Sequence, residues 1–169
     1  VSQWAKLEGL NVIGTVSSDA KAEVAKAHGC DHTINYSHED VAKRVRELTN
    51  GVGVNAVFDS VGKDTFEGSL NSLKTRGLMV CLGTASGSIP PFNPQILAGK
   101  GSLFLTRPAS AHYIADPVER AELANELFSH VAEGRIKVDI SKRYELADAV
   151  QAHRDLEGRK IVGSAIFTL

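Results

Sequence analysis

The sequence predicts an α/β fold built on a doubly wound parallel sheet. Three observations predict it. Strand-length apolar runs alternate with helix-period segments from residue 10 to residue 106. Those runs are apolar throughout rather than every second residue, as in strands buried on both faces. Glycines punctuate the helical segments, at Gly9, Gly29, Gly77 and Gly134.

Each element follows in turn. VSQWAKLEGL reads as the second half of a helix, with Val1, Trp4, Ala5 and Leu7 as its stripe and Gly9 as C′ residue. Residues 10–16 form a first apolar strand. Ser18 is an N-cap for a helix to about His28, with Ala20, Val24 and Ala27 inward. HTINY, 32–36, is a second strand. Ser37 and Asp40 resemble a capping box, and Val41, Val45 and Leu48 follow at helical spacing. VNAVFD, 54–59, is a third strand; Phe66, Leu70 and Leu73 mark a helix ending at Gly77. A fourth strand spans 78–83, a short helical turn lies near 95–98, and SLFLT, 102–106, is a fifth strand. Beyond Pro108 come a long helix over 117–133, a KVDIS strand, a helix in ELADAVQAHRDLEG and a final strand in IVGSAIFTL. The long helix should bury Ala121, Ala124, Leu127, Phe128 and Val131. Pro108 divides the expected units, 1–108 and 109–169.

Composition narrows the function classes. The chain has 169 residues, 43% apolar, with net charge −1, which suits a globular domain rather than a basic nucleic-acid surface. No apolar run reaches the roughly 20 residues of a membrane-spanning helix. Cys30 and Cys81 are far apart and without C-x-x-C spacing, which points to a reducing compartment, expected to be the cytoplasm. His28, His32 and His38 fall on three different kinds of element and lack an H-E-x-x-H pattern, so no metal site is expected. Cys81 reads as a core thiol, and Asp59 as the residue that fixes the turn of FDSVG.

The turn after the first strand, Val16-Ser17-Ser18-Asp19-Ala20-Lys21, carries the chemical question. In a dinucleotide-binding (Rossmann-type) fold this turn meets the adenosine ribose. A carboxylate there selects NAD, whereas a 2′-phosphate needs hydroxyl donors and a cation. Ser17, Ser18 and Lys21 meet the second need, and Asp19 opposes it unless it faces solvent. The alternative is an ordinary capped turn with a solvated lysine. A G-x-G-x-x-G loop between a first strand and first helix is missing. It and that strand are expected to lie upstream of Val1, so that the chain is expected to be a fragment. Alone, such a chain is expected to be unstable or to borrow a strand.

Several stretches together carry a resemblance: INY (34–36), NAVFDSVGKDTFEGSLNSLKTRGLMVCLGTASG (55–87), GSLFLTRP (101–108) and DAVQAHRDLEGRKIVGS (148–164). They resemble the zinc-free quinone oxidoreductases of the zeta-crystallin type, within the medium-chain dehydrogenase/reductase superfamily, over essentially the whole chain. The resemblance implies a C-terminal half, with a truncated NADPH-binding domain and a segment returning to the catalytic lobe. It implies hydride transfer from NADPH to a quinone or other carbonyl acceptor, with no catalytic residue assigned in this chain. Lys21, Tyr36 and Arg159 match residues that grip the 2′-phosphate, with Ser17 lining the same turn. Ser60 and Val61 match contacts along the cofactor; Leu82, Gly83 and Thr84 match a segment at the nicotinamide end. Relatives often have Phe and Asn where this chain has Leu82 and Thr84. Thr106 and Arg107 match the strand end near the nicotinamide amide. The resemblance further implies a homodimer through the 102–106 edge strand. Two other readings stay open: a zinc-free enoyl or carbonyl reductase, and a non-catalytic nucleotide- or RNA-binding relative.

Overall fold

The protein is described here from a computed structural model covering residues 1–158 and 160–169. Helix α1 (Ser2–Leu7) ends in a Schellman turn, in which Gly9 and Leu10 N–H donate back to the Lys6 and Ala5 carbonyls. Gly9 adopts φ +73°, which a glycine reaches without a steric cost. Strand β1 (Ile13–Val16) leads to α2 (Asp19–Ala27), capped by the Ser18 hydroxyl and closed by the same turn at Gly29. Strand β2 (His32–Asn35) runs parallel to β1, with Ile13 opposite His32 and Val16 opposite Asn35.

The second sheet is larger. Helix α3 (Val41–Leu48) leads to β3 (Val54–Asp59), then α4 (Phe66–Ser72), β4 (Leu73–Cys81), α5 (Gln95–Gly99) and β5 (Phe104–Thr106). Its order is β3-β4-β5, all parallel, with Asp59 opposite Cys81 and Val80 opposite Thr106. No hydrogen-bonded pair joins β1 to β3 among the described residues. In the doubly wound order 3-2-1-4-5-6 one strand lies between these two.

The core sits where α4 covers this sheet. Phe66, Leu70, Leu73, Met79, Cys81 and Leu103 are buried together, with Val57, Ile89, Ile96 and Leu105 packed around them. Arg46 ties α3 to the start of the sheet: its guanidinium donates to the carbonyls of Gly51, Val52, Asn71 and Leu73 at 2.7–3.2 Å. These bonds engage every N–H of the side chain.

The C-terminal part comprises α6 (Ser110–Tyr113), α7 (Pro117–Ala132), β6 (Ile140–Glu145), a 3-10 turn (Leu146–Asp148), α8 (Ala149–Glu157) and β7 (Ser164–Thr168). Strands β6 and β7 pair in parallel. Asp155 is their anchor: its buried carboxylate accepts from Lys142 Nζ and Tyr144 Oη, both at 2.8 Å, and from Gln151. These bonds, led by Lys142, hold its carboxyl well below the usual carboxylate range.

Several sequence expectations are corrected. The first strand begins at Ile13, not Leu10: the Val12 carbonyl accepts from His32 N–H at 3.1 Å, but its N–H is diverted to Asp31 Oδ2 at 2.9 Å. Asp40 is itself the N-cap of α3, accepting from Lys43 N–H, so Ser37 and Asp40 form no capping box. Leu73 opens β4 rather than closing α4, and the chain turns through Arg76 at φ +58° inside that strand. The KVDIS strand begins only at Ile140. On α7 the expected inward face is largely open: Leu127, Phe128 and Val131 are exposed, and His130 is its buried residue, edge-on to Trp4.

Candidate functional site

Parallel strands gather their carboxyl ends, and two groups of polar residues lie at those ends. The first group stands after β1 and β2. Tyr36 N–H donates to the Val16 carbonyl at 3.0 Å, which brings the two strand ends together. Ser37 Oγ donates to the Ser17 carbonyl at 2.8 Å and closes the turns on each other. The Ser18 hydroxyl caps α2 by accepting from Lys21 N–H. Lys21 is half-buried and makes no ion pair among the described residues, while the Tyr36 ring is about half exposed at 49%. Ser17, Lys21 and Tyr36 thus share one corner of the fold.

The two acids of this corner are both occupied. Asp19 Oδ1 accepts from the Asn35 side-chain amide at 2.8 Å, and Glu39 Oε1 accepts from the Asn35 backbone N–H at 2.7 Å. Asn35 is buried, at 7% exposure. The sequence signals neither the role of this residue, although it lies in the INY motif, nor that of Ser37, which is expected in a capping box. Their role depends on the β1–β2 register, which sets Asn35 beside Val16 and so beside α2.

The second group stands after β3, β4 and β5. Asp59 ends β3 with 5% exposure. Its carboxylate accepts from the N–H groups of Val61 and Gly62 and from the Thr65 and Ser69 hydroxyls, at 2.7–3.0 Å. Burial pushes its carboxyl up, but the bonds from Ser69, Gly62, Thr65 and Val61 outweigh it and leave the group below its ordinary value. Asp59 therefore fixes the FDSVG turn as an anion. Ser60 and Val61 are exposed on that turn. The 82–87 loop docks on it: Leu82 N–H donates to the Asp59 carbonyl at 2.7 Å and Ser86 N–H to the Val61 carbonyl at 2.8 Å. Gly83 is required there, since a Cβ would stand 2.4 Å from the Ser60 carbonyl oxygen. Leu82 and Thr84 remain exposed beside it. Arg107, following Thr106, donates from Nη1 to the Cys81 carbonyl at 2.8 Å and so ties β5 to the end of β4. Burial, then the Asp59 charge, pushes the Cys81 thiol up, leaving it a protonated core side chain.

Ser60, Val61, Leu82, Gly83, Thr84, Thr106 and Arg107 are thus adjacent at three neighbouring strand ends. Arg159 lies outside the described residues.

A sequence model of the zinc-binding dehydrogenases matches residues 1–114. The chain belongs to that family. It is 48% identical over 165 residues to a quinone oxidoreductase of Pseudomonas aeruginosa, covering 98% of this chain and 51% of that protein. It is 44% identical over 165 residues to the 2-haloacrylate reductase of a Burkholderia species, covering 97% of this chain and 50% of that one. Its fold superposes on the crystal structure of Escherichia coli quinone oxidoreductase complexed with NADPH with TM-score 0.95. That match has 46% identity and covers 99% of this chain and 52% of the other. The chain spans about half the length of the curated relatives it matches. Family membership agrees with the Rossmann-type parallel sheet and with the resemblance read from the sequence. Among the described residues no three His, Cys, Asp or Glu side chains converge, so these residues do not fit a zinc ion. Nor is any helix among them long and apolar enough to cross a membrane.

Proposed function

We propose that the chain supplies the NADPH-binding part of a quinone oxidoreductase that transfers a hydride from NADPH to a quinone. One observation carries this reading. The corner after β1 and β2 offers two serines, a tyrosine and a lysine without an ion pair among the described residues, while both nearby carboxylates already accept a hydrogen bond. That donor set fits a 2′-phosphate, and the nearby carboxylates each have an oxygen already engaged by Asn35.

Bound NADPH supplies the hydride, and a quinone becomes a hydroquinone when that hydride is joined by one proton from solvent. The chain's own residues bind and orient. Lys21 neutralises the phosphate, Ser17 and Ser18 line it, and Tyr36 offers its ring face and hydroxyl. Arg159 is proposed to close on the same phosphate. Ser60 and Val61 follow the cofactor across the sheet. Leu82, Gly83, Thr84, Thr106 and Arg107 line the nicotinamide end, on turns made rigid by Asp59 and by the Arg107–Cys81 bond. No residue of this chain is given a proton-transfer step.

Residues 1–108 form the cofactor-binding unit and 109–169 the segment returning to the catalytic lobe. The zeta-crystallin-like enzyme is a homodimer paired through the 102–106 edge, and the free thiols of Cys30 and Cys81 favour the cytoplasm. The 2-haloacrylate reductase relative favours a second reading, in which the acceptor is an activated alkene or carbonyl; parallel turnover assays with a quinone and an enal decide between them.

Calorimetric titration with NADPH and NADH tests the binding claim. Tighter binding of NADPH is expected, and Lys21→Ala should weaken NADPH by about tenfold or more while leaving NADH unchanged, as loss of a charged hydrogen bond predicts. Equal affinity for both cofactors contradicts it.

A further inference from the structure

We infer that Asn35 is the residue that sets cofactor preference, by holding the carboxylate of Asp19 away from the ribose. This rests on reading the 17–21 turn as the cofactor-phosphate site.

Asp19 is the first residue of α2, between the Ser17–Ser18 pair and Lys21. A carboxylate on this turn is the group that takes the ribose hydroxyls in NAD-selective folds and repels a 2′-phosphate. Here it is diverted. Asn35 Nδ2 donates to Asp19 Oδ1 at 2.8 Å, and the other end of the same amide, Oδ1, accepts from Ser37 N–H at 3.2 Å. Its backbone N–H takes Glu39, whose second oxygen lies 3.6 Å from Arg44 Nε. One buried residue thus engages both acids of the corner and shapes the turn that carries Tyr36 and Ser37.

Asparagine suits the position because its amide donates and accepts at once. An aspartate there would have no N–H for Asp19 and would add a like charge beside it. A leucine would satisfy neither neighbour. Released, the Asp19 side chain is free to turn toward the ribose, and the site loses preference for the phosphorylated cofactor.

The test is calorimetry on this chain with NADPH, NADH and 2′,5′-ADP, with circular dichroism confirming the fold of each variant. Asn35→Ala should lower the NADPH-to-NADH affinity ratio by about tenfold, the scale of one charge-assisted contact. It should weaken 2′,5′-ADP in proportion. Adding Asp19→Asn to that variant should restore the ratio, because the harm comes from the freed charge. A merely structural Asn35 would weaken both cofactors equally and would not be rescued at Asp19; that result overturns the inference. If Asn35→Ala does not fold, Asp19→Ala keeps the inference open to refutation: a rise in the ratio of about tenfold or more shows an untethered carboxylate and overturns it. Equal affinity of the wild type for both cofactors overturns the phosphate reading itself, and the inference with it.

Discussion

At the level of single residues, Asp59 and Asn35 do comparable work at two strand ends. Each is a short, buried polar side chain. Asp59 spends its hydrogen bonds on the turn following its own strand, and Asn35 divides its own between the turn after β2, at Ser37, and Asp19 on α2. Replacing Asp59 by Asn removes the anion from four donors, two of them backbone N–H groups. The expected loss is about 3 kcal/mol of unfolding free energy at pH 7, measured by urea denaturation. The pH dependence has a definite sign. The native carboxyl titrates below its ordinary value, so its stabilisation is present above pH ~3.9 and is lost as pH falls through the lower native value. The gap between wild type and Asp59→Asn should therefore be full at pH 6 and shrink below pH 4; a gap that stays constant would contradict the assignment. The role of Asp59 was legible in FDSVG, because its partners lie within ten residues. That of Asn35 was not, because it meets Asp19, sixteen residues earlier in sequence, only through the pairing of β1 with β2.

Among the elements, local signals were read well and tertiary ones less so. Ser18 as N-cap, Gly29 as terminator and the 54–59 strand all stand as expected, since each depends on its own neighbours. The carboxyl-end positions of Ser60, Leu82 and Thr106 followed from strand order alone. Leu73 was misread because an apolar residue at helical spacing also suits the first position of a buried strand. The open face of α7 could not be read, because apolar spacing tells which residues seek a partner and not whether this chain supplies one. Among the described residues strand β5 pairs only with β4, and Phe104 on it is 60% exposed. An unpaired, apolar edge is commonly covered by a second strand. Light scattering should accordingly give twice the chain mass of 18.1 kDa; a monomeric mass contradicts pairing through this edge.

Across the molecule, the two halves of the chain are joined by polar contacts as well as by the Trp4–His130 stacking. Gln3 exchanges two hydrogen bonds with the Lys137 backbone at 2.8–2.9 Å, and His28 sits between the Val24 carbonyl and the Asp139 carboxylate, 2.7 Å from each. Two acceptors on one imidazole favour its protonated form, and the Val24 carbonyl, followed by Asp139, raises its affinity for the proton. These contacts dock the C-terminal segment on the α1–α2 side. On the proposed function, both groups of strand-end residues belong to a single site for a phosphorylated dinucleotide.

Hydrogen exchange of the chain with and without NADPH is the decisive measurement. Added protection is expected in both groups together, at 17–21 and 36–37 and at 60–61, 82–84 and 106–107, with NADH protecting 17–21 less. Protection in only one group, or equal protection of 17–21 by NADH, would contradict it.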